Sequence, residues 1–589
     1  MATITPLLTT ISMCEGTTGW AAVGGTLANQ ADVYIQASGG STNFAIQSYA
    51  ASALNRGADC TISATNMTGQ CIFFWMAFSK PGIIGAYGST GIRLRLTDSL
   101  GNWREWYVFG SSGTIALPHG GWLPWIVDLS LTRDAASGTE GNLSDTVKVG
   151  WRADAVTAKG TIYFDAWRYG TGLKLTGGTF SAPATWEEIF AADNLEANKY
   201  GVIMKFEGVY FIQGQIQIGD SGQTVITYFK DISQIIMFKD AKVSSSFYSI
   251  SVVGAASYKT TCLLGSTSTT SYATATRARA SDVATITTAL THGFSVGDVV
   301  KVVGLGGTGY NGNWTIVSAS GTTFTYTNSG GNEGQTADTG GVTKKMTGMS
   351  GISGCLVSAA NSAKPYTLTA TDANISFFGL YGSTFLKAST ITLPSNPVHD
   401  VYNCTFGTGA KIISNTTTVF NCNFISSPGI AITYNVNLTY CTFISCATGV
   451  EITTAGNKTF VALRFSGCTY DVKSSNALTV SNTYGSNAQT YDPSGSEVTF
   501  ETSVTLTLTG LIAGSEIEIV NHGTQVERAR EETSGTSYAY PYNWTASIYV
   551  DIFIHKETYE WYVIWNYLLP SDNMSIPISQ RFDRVYSNP

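Results

Sequence analysis

Apolar residues along this chain recur mostly at every second position, in short runs broken by Gly, Asn, Asp and Ser. That period belongs to strands. Helical spacing surfaces in "TWEEIFAADNLEANK" (185–199), where Thr185 and Glu188 stand at capping-box spacing and predict a short helix or helical turn between two β regions. Across residues 1–183, strands are predicted in "ADVYIQAS", "STNFAIQSY", "QCIFFWMAF", "GIRLRLTDS", "WREWYVFGS", "WLPWIVDLS" and "GTIYFDAWRYG". Turns at intervals of about 10 to 20 residues make this an antiparallel, jelly-roll-like sandwich.

The rhythm changes over 184–277. Short β-branched and aromatic runs such as "VITYFKDISQIIMFKD" predict a linker and the first coils of a parallel β-helix. Residues 278–345 break that rhythm with "GFSVGD", "YNGNWTIVS" and "TTFTYT", hairpin-like strands that predict a small β-barrel inserted between two coils. Over 346–490 the coils resume: "NCTF" (403–406), "NCNF" (421–424) and "YCTF" (440–443) put Cys and Phe at one phase of an 18- to 19-residue period. Stacked coils align equivalent positions about 4.8 Å apart, so an inward position meets its own kind above and below. Cys404, Cys422 and Cys441 are expected to stack inside, as are Phe385, Phe406, Phe424 and Phe443, with the residue between Cys and Phe facing out. Residues 491–589 alternate strictly and predict a C-terminal β-sandwich followed by a tail. The fold class expected is therefore all-β: a jelly-roll-like sandwich, a right-handed parallel β-helix carrying a small barrel, and a second sandwich.

Composition supports the class. Charged residues are only 12% of the chain, and 62 glycines accompany many Ser, Thr and Asn residues. A net charge of −7 without any Lys/Arg-rich stripe excludes the electrostatic footprint of a nucleic-acid binder. The opening "MATITPLLTTISMCEGTTGW" lacks a cationic start and a long apolar core, so no signal peptide is read. The longest apolar run, "CIFFWMAF", is far short of the ~20 residues of a membrane helix. The chain is expected to be made in a cytoplasm and to be soluble. Its ten cysteines, without a CxxC pair, read as small buried hydrophobes.

The segments "VTLTLTGLIAGSEIEIV", "VDIFIHKETYEWYVI" and "SIPISQRFDRVYSNP" resemble a C-terminal domain that recurs in tailed-bacteriophage virion proteins, where it follows β-helical segments. "HGFSVGDVVKVVG…YNGNWTIVS…TTFTYT" resembles a small β module scattered through phage structural proteins, and "GTIYFDAWRYG" resembles the last strand of carbohydrate-binding-module sandwiches. The resemblance implies a virion component, a tail fibre, tailspike or head fibre, that meets other virion proteins and host-surface polysaccharide. It implies no particular chemistry. A homotrimer is expected, because an under-charged β-helix face is commonly buried against copies of itself.

Catalytic candidates are sparse. A polysaccharide depolymerase needs two carboxylates at the scissile bond, and from Asn374 to Thr490 the chain offers Asp400, Glu451 and Asp471. Glu451 and Asp471, 20 residues apart, could project from adjacent coils; Asp220, Asp231 and Asp240 pose the same question earlier. The five histidines (His119, His292, His399, His522, His555) lack metal-ligand spacing, and the glycine-rich "VVGLGGTGYNG" precedes no helix and carries no lysine. Neither a catalytic residue nor a metal or cofactor is assigned. The stronger candidate is a carbohydrate-binding surface: Trp103, Trp106, Tyr107, Trp122 and Trp125 fall close together beside Arg104, Glu105 and His119. Aromatic planes stack on sugar C–H faces while adjacent polar groups fix the hydroxyls. Against this stands plain packing, since alternation puts Trp103 with Glu105 on one face and Arg104 with Trp106 on the other. The reading is a binding and structural protein, with a depolymerase tailspike and a head-decoration fibre as alternatives.

Overall fold

The computed structural model describes residues 2–14, 16–24, 26–30, 44–49, 56–78, 92–109, 122–153, 160–179, 182–190, 200–222, 227–231, 234–255, 260–265, 271–307, 309–344, 354–394, 399–409, 411–414, 417–483, 486–500, 503–543, 548–570 and 574–583. Over these residues the protein is all-β, with two 3-10 turns, Leu143–Asp145 and Glu187–Phe190, beside its strands. Two compact units divide the chain, Met1–Pro394 and Ser395–Pro589.

The first unit opens with two facing sheets. One comprises Ala135–Ala136, Trp103–Phe109, Ile92–Asp98, Thr146–Ala153, Arg56–Thr65 and Trp20–Val23, in that order. The other centres on Cys71–Phe78, flanked by Leu123–Asp128 and the long strand Gly160–Gly177. Alternate residues from both sheets meet in one core, where Phe74 stacks on Trp167 at 4.3 Å and Trp151 lies edge-on to Phe164. The run "CIFFWMAF" is apolar throughout because both of its faces are covered. Ile72, Phe74, Met76 and Phe78 point into the sandwich, while Trp75 on the other face lies against Gly201.

The second half of Gly160–Gly177 leaves the sandwich and pairs in parallel with Gln215–Ile218. One sheet thus crosses the boundary expected at 183/184. From there the chain winds in coils of three strands, each strand hydrogen-bonded in parallel to its counterpart one coil on. Val209–Ile212, Ile235–Phe238, Leu356–Ala359 and Thr384–Leu386 form one such column, and Thr227–Asp231, Thr260–Leu264 and Ile375–Tyr381 another. Trp186 plugs the first coil, edge-on to Phe229 at 5.9 Å. The segment that predicted a short helix or helical turn holds a 3-10 turn, and 191–199 lie outside the described residues. Glu188 accepts the Ala2 amide at 2.6 Å, so this acid is drawn to the first strand of the sandwich.

Between the second and third coils sits an antiparallel sheet closed into a barrel. Ser271–Ala280 pairs with both Gly341–Lys344 and Val283–Thr288, and Glu333–Ala337 flanks it outside. The barrel begins at Ser271, seven residues before the expected 278, and Ser271 pairs with Thr343. Adjacent ends let such an insertion extrude from a loop without spreading the coils. Its core is Ile286, Phe294, Val300, Tyr310, Phe324 and Tyr326, among others.

The second unit repeats the coil. Thr405–Gly407, Asn423–Ile425, Thr442–Ile444 and Arg464–Ser466 stack in parallel with Phe406, Phe424, Phe443 and Phe465 in register. The four rings are buried and nearly parallel, with centroids 5.2, 4.9 and 4.8 Å apart. Cys404, Cys422 and Cys441 form a buried column beside them, each thiol donating to the carbonyl two residues back at 3.3–3.4 Å. Burial, and then the neighbouring Cys422, push the Cys441 thiol up. All ten cysteines are free.

After the last coil, Ser537–Asn543, Ser503–Thr509 and Met574–Pro577 form one sheet, and Glu527–Glu532, Glu516–Asn521, Tyr549–His555 and Tyr562–Leu568 another, over a shared core. In this sandwich Asp551 is fully buried and accepts from His522 Nδ1 (2.8 Å), Gln525 Nε2 (2.9 Å) and the Asn566 amide (2.8 Å). Burial alone would raise its pKa; the bonds from Asn566, His522 and Gln525 outweigh it and hold the carboxyl below its ordinary value. A folded pKa below the unfolded one means stability that is present above about pH 4 and is lost as pH falls through the folded value. Urea midpoints of this unit are expected to hold level from pH 7 to 5 and to drop below about pH 4. Asp551→Asn should lower the midpoint at pH 7 and flatten that acid limb; an unaltered limb would refute the assignment.

Candidate functional site

Along each strand of the six-stranded sheet, alternate side chains leave the core. Those of Ile92–Asp98 and Trp103–Phe109 that do so include Arg93, Arg95, Trp103, Glu105 and Tyr107; from Thr146–Ala153 and Arg56–Thr65 come Arg152 and Asp59. Register sets Arg95 opposite Glu105 and, through Gly150, in line with Asp59. Glu105 is fully buried and takes Arg95 Nε at 2.6 Å on one oxygen and Arg93 Nη1 at 3.2 Å on the other. Arg152 grips Asp59 through both terminal nitrogens, each at 2.7 Å, the two-pronged geometry that guanidinium and carboxylate share. Gly150 makes room for this pair, since a Cβ there would stand 2.4 Å from Asp59 Oδ1. Burial first, and then Arg152 and Arg93, pull the Arg95 guanidinium below its ordinary pKa against the opposing pull of Glu105.

Arg95 also lies over the Trp103 ring, its guanidinium carbon 4.2 Å from the centroid. The half-buried indole is thus held by a charge that is itself held by Glu105. Asp134 Oδ2 accepts the Tyr107 amide at 2.6 Å and Lys242 Nζ at 3.1 Å, anchoring the end of the strand. The result is a rigid polar face carrying one indole and one phenol, suited to stacking and hydrogen bonding.

The five aromatics expected to bind together separate by sheet. Trp103 and Tyr107 belong to this face. Trp106 is sealed in the core with its Nε1 donating to Leu131 O at 3.0 Å, so its ring packs the sandwich and is withdrawn from the binding set. Trp122 and Trp125 belong to the opposite layer: Trp125 pairs with Phe74 in register, Trp122 lies edge-on to Tyr163, and both pack against the core. His119 lies outside the described residues. Arg93, Arg95, Arg152 and Asp59 were missed, although "IRLRLTD" signals its two arginines on one face by simple alternation.

Four of the acids considered for catalysis, Glu451, Asp471, Asp220 and Asp240, have structural partners. Glu451 pairs with Lys411 at 2.8 Å, and Asp471 accepts the amides of Gln489 and Thr490 at 2.8 and 3.0 Å. Asp220 pairs with Lys174, and Asp240 with Lys364. The Asp231 side chain lies outside the described residues. Among the described residues no group of three or more His, Cys, Asp or Glu converges as a metal site, and no helix is long and apolar enough to cross a membrane.

No family model and no curated relative matches the chain. Among solved structures it is similar to an exo-β-agarase at 12% identity and a TM-score of 0.19, covering 26% of this chain and 23% of that one. It is similar to a family 11 carbohydrate-binding module from Clostridium thermocellum, in complex with a β-1,3-1,4-mixed-linked tetrasaccharide, at 15% identity and a TM-score of 0.19, covering 28% of this chain and 94% of that one. The CBM22-1 xylan-binding domain of Paenibacillus barcinonensis Xyn10C follows at 12%, with a TM-score of 0.18 and coverage of 28% and 91%. This chain spans less than a quarter of the agarase. Similarity at this level carries no functional weight.

Proposed function

We propose that this chain is a structural component of a tailed-phage particle, a fibre or spike that presents a glycan-binding face. The phage assignment is supported by the resemblance of the 504–589 segments and of the inserted barrel. The binding assignment rests on one observation: the Trp103 indole held by Arg95 above a buried Arg93–Arg95–Glu105 network. Rigid rings bind sugars with little entropy to lose, and braced polar groups keep their hydrogen-bonding directions. The coil stack supplies stiffness, because each coil hydrogen-bonds to the next along its length.

Affinity electrophoresis of the full chain through soluble neutral polysaccharides, and proteomics of purified particles, test the two halves. Trp103→Ala is expected to weaken the retained interaction by about tenfold, the loss of one stacked ring, with an unchanged far-UV spectrum. Equal retention of wild type and variant removes the binding face, and absence of the chain from particles removes the virion assignment.

A further inference from the structure

The coil repeat supplies its own baseline. At the corner before each short strand of the second unit the backbone is left-handed: Asn403 (φ +53°), Asn421 (+50°), Tyr440 (+57°) and Ala462 (+51°). Asparagine enters that region readily and a bulky aromatic does not. Asn421 Nδ2 donates to Asn403 Oδ1 at 2.9 Å, so the first two coils build an amide ladder, and Tyr440 breaks it. At the outward strand position Thr405, Asn423 and Thr442 are followed by Arg464.

Both departures line one cleft of about 520 Å³ between these coils and the strands Glu527–Glu532 and Ser537–Asn543. The Tyr440 side of the cleft is open, the residue being 48% exposed. The Arg464 amide donates to Cys441 O at 2.9 Å, while its exposed guanidinium makes no hydrogen bond or ion pair among the described residues. The other cleft arginines are occupied: Arg530 by Glu516, Glu518 and Glu527, Arg528 by Asn521. Tyr538 stands where it feels both the Glu531 carboxylate and the Arg464 charge. Strained residues concentrate at functional sites, and here strain sets a ring beside a free cation.

We propose that this cleft binds an acidic saccharide: the Tyr440 ring stacks on the sugar, Arg464 pairs with its carboxylate, and Tyr538 and Glu531 bond its hydroxyls. The site is separate from the Trp103 face and does not depend on it. Arg464 supplies the carboxylate partner that neutral sugars do not need, and Glu531 the acceptor that a purely anionic ligand would repel.

Calorimetry of the full chain with oligogalacturonate, alginate oligomers and hyaluronan oligomers, each against its carboxyl-reduced neutral form, tests this. At least one acidic oligomer is expected to bind saturably, with its reduced form about tenfold weaker. Arg464→Ala should lose about tenfold in affinity and Arg464→Lys less. Tyr440→Asn should weaken binding yet raise the Tm by about 2 °C, because it extends the amide ladder and relieves the left-handed tyrosine. Trp103→Ala should bind the acidic oligomer as wild type does. Failure of all three oligomers, equal affinity for a reduced form, an unaffected Arg464→Ala, an unaffected Tyr440→Asn, or loss of binding in Trp103→Ala would each overturn the proposal.

Discussion

Replacing Phe424 by alanine is expected to destabilise the second unit by about 3–5 kcal/mol, read from urea unfolding. Phe424 lies third from the end of a four-ring column, buried between Phe406 at 5.2 Å and Phe443 at 4.9 Å. Truncation leaves a hole that the coil cannot close. The backbone on either side is pinned by parallel hydrogen bonds to Asn423–Ile425, and the left-handed corners at Asn421 and Ser426 fix the strand's ends. Two neighbouring rings then each lose a stacking partner, worth about 0.5–1.5 kcal/mol per pair beyond area burial. Because coils contact only their neighbours, the weakness should be local before it is global: hydrogen exchange should accelerate first in the coils of Phe406, Phe424 and Phe443. Phe424→Leu refills most of the space and should cost clearly less. Equal costs for alanine and leucine would mean that the ring column contributes little.

Glu105→Gln is expected to cost the first unit's sandwich a similar amount, about 3–5 kcal/mol, for a different reason. The carboxylate is fully buried and answers two guanidiniums. An amide of the same shape leaves both charges without an anion and turns an N–H toward one of them. The contrast is a triple variant, Arg93→Met with Arg95→Met and Glu105→Leu. Buried ion networks are commonly matched in stability by apolar residues of similar volume, so this variant should recover most of the lost stability while losing polysaccharide retention as Trp103→Ala does. Stability recovered together with retained binding would show that the network holds the fold and nothing else.

The strand period, the coil repeat and the inward columns were legible in the chain because they are local. Cys404, Thr405 and Phe406 declare their faces by alternation, and the next two coils repeat the statement. The barrel was legible from its hairpins, although its first strand starts at Ser271 because "SYATATRARA" pairs at both ends of the module, a distinction no local pattern carries. Of the short helix or helical turn expected over 185–199, the described part holds a 3-10 turn, with Trp186 drawn into the coil interior and Glu188 to the Ala2 amide.

Periodicity names the residues that share a face of a strand, and for most of this protein that suffices to place the core. It cannot say which face another sheet will cover: alternation sets Trp106 and Trp103 on opposite faces, and only the packing of the sheets decides that the first is buried and the second half-buried. Nor does it bring Arg152 to Asp59 across 93 residues, or set Tyr440 and Arg464 opposite Glu531 and Tyr538. Those juxtapositions arise where layers built from distant segments meet, and the energy that selects them comes from burial and charge pairing between elements, which no window along the chain contains.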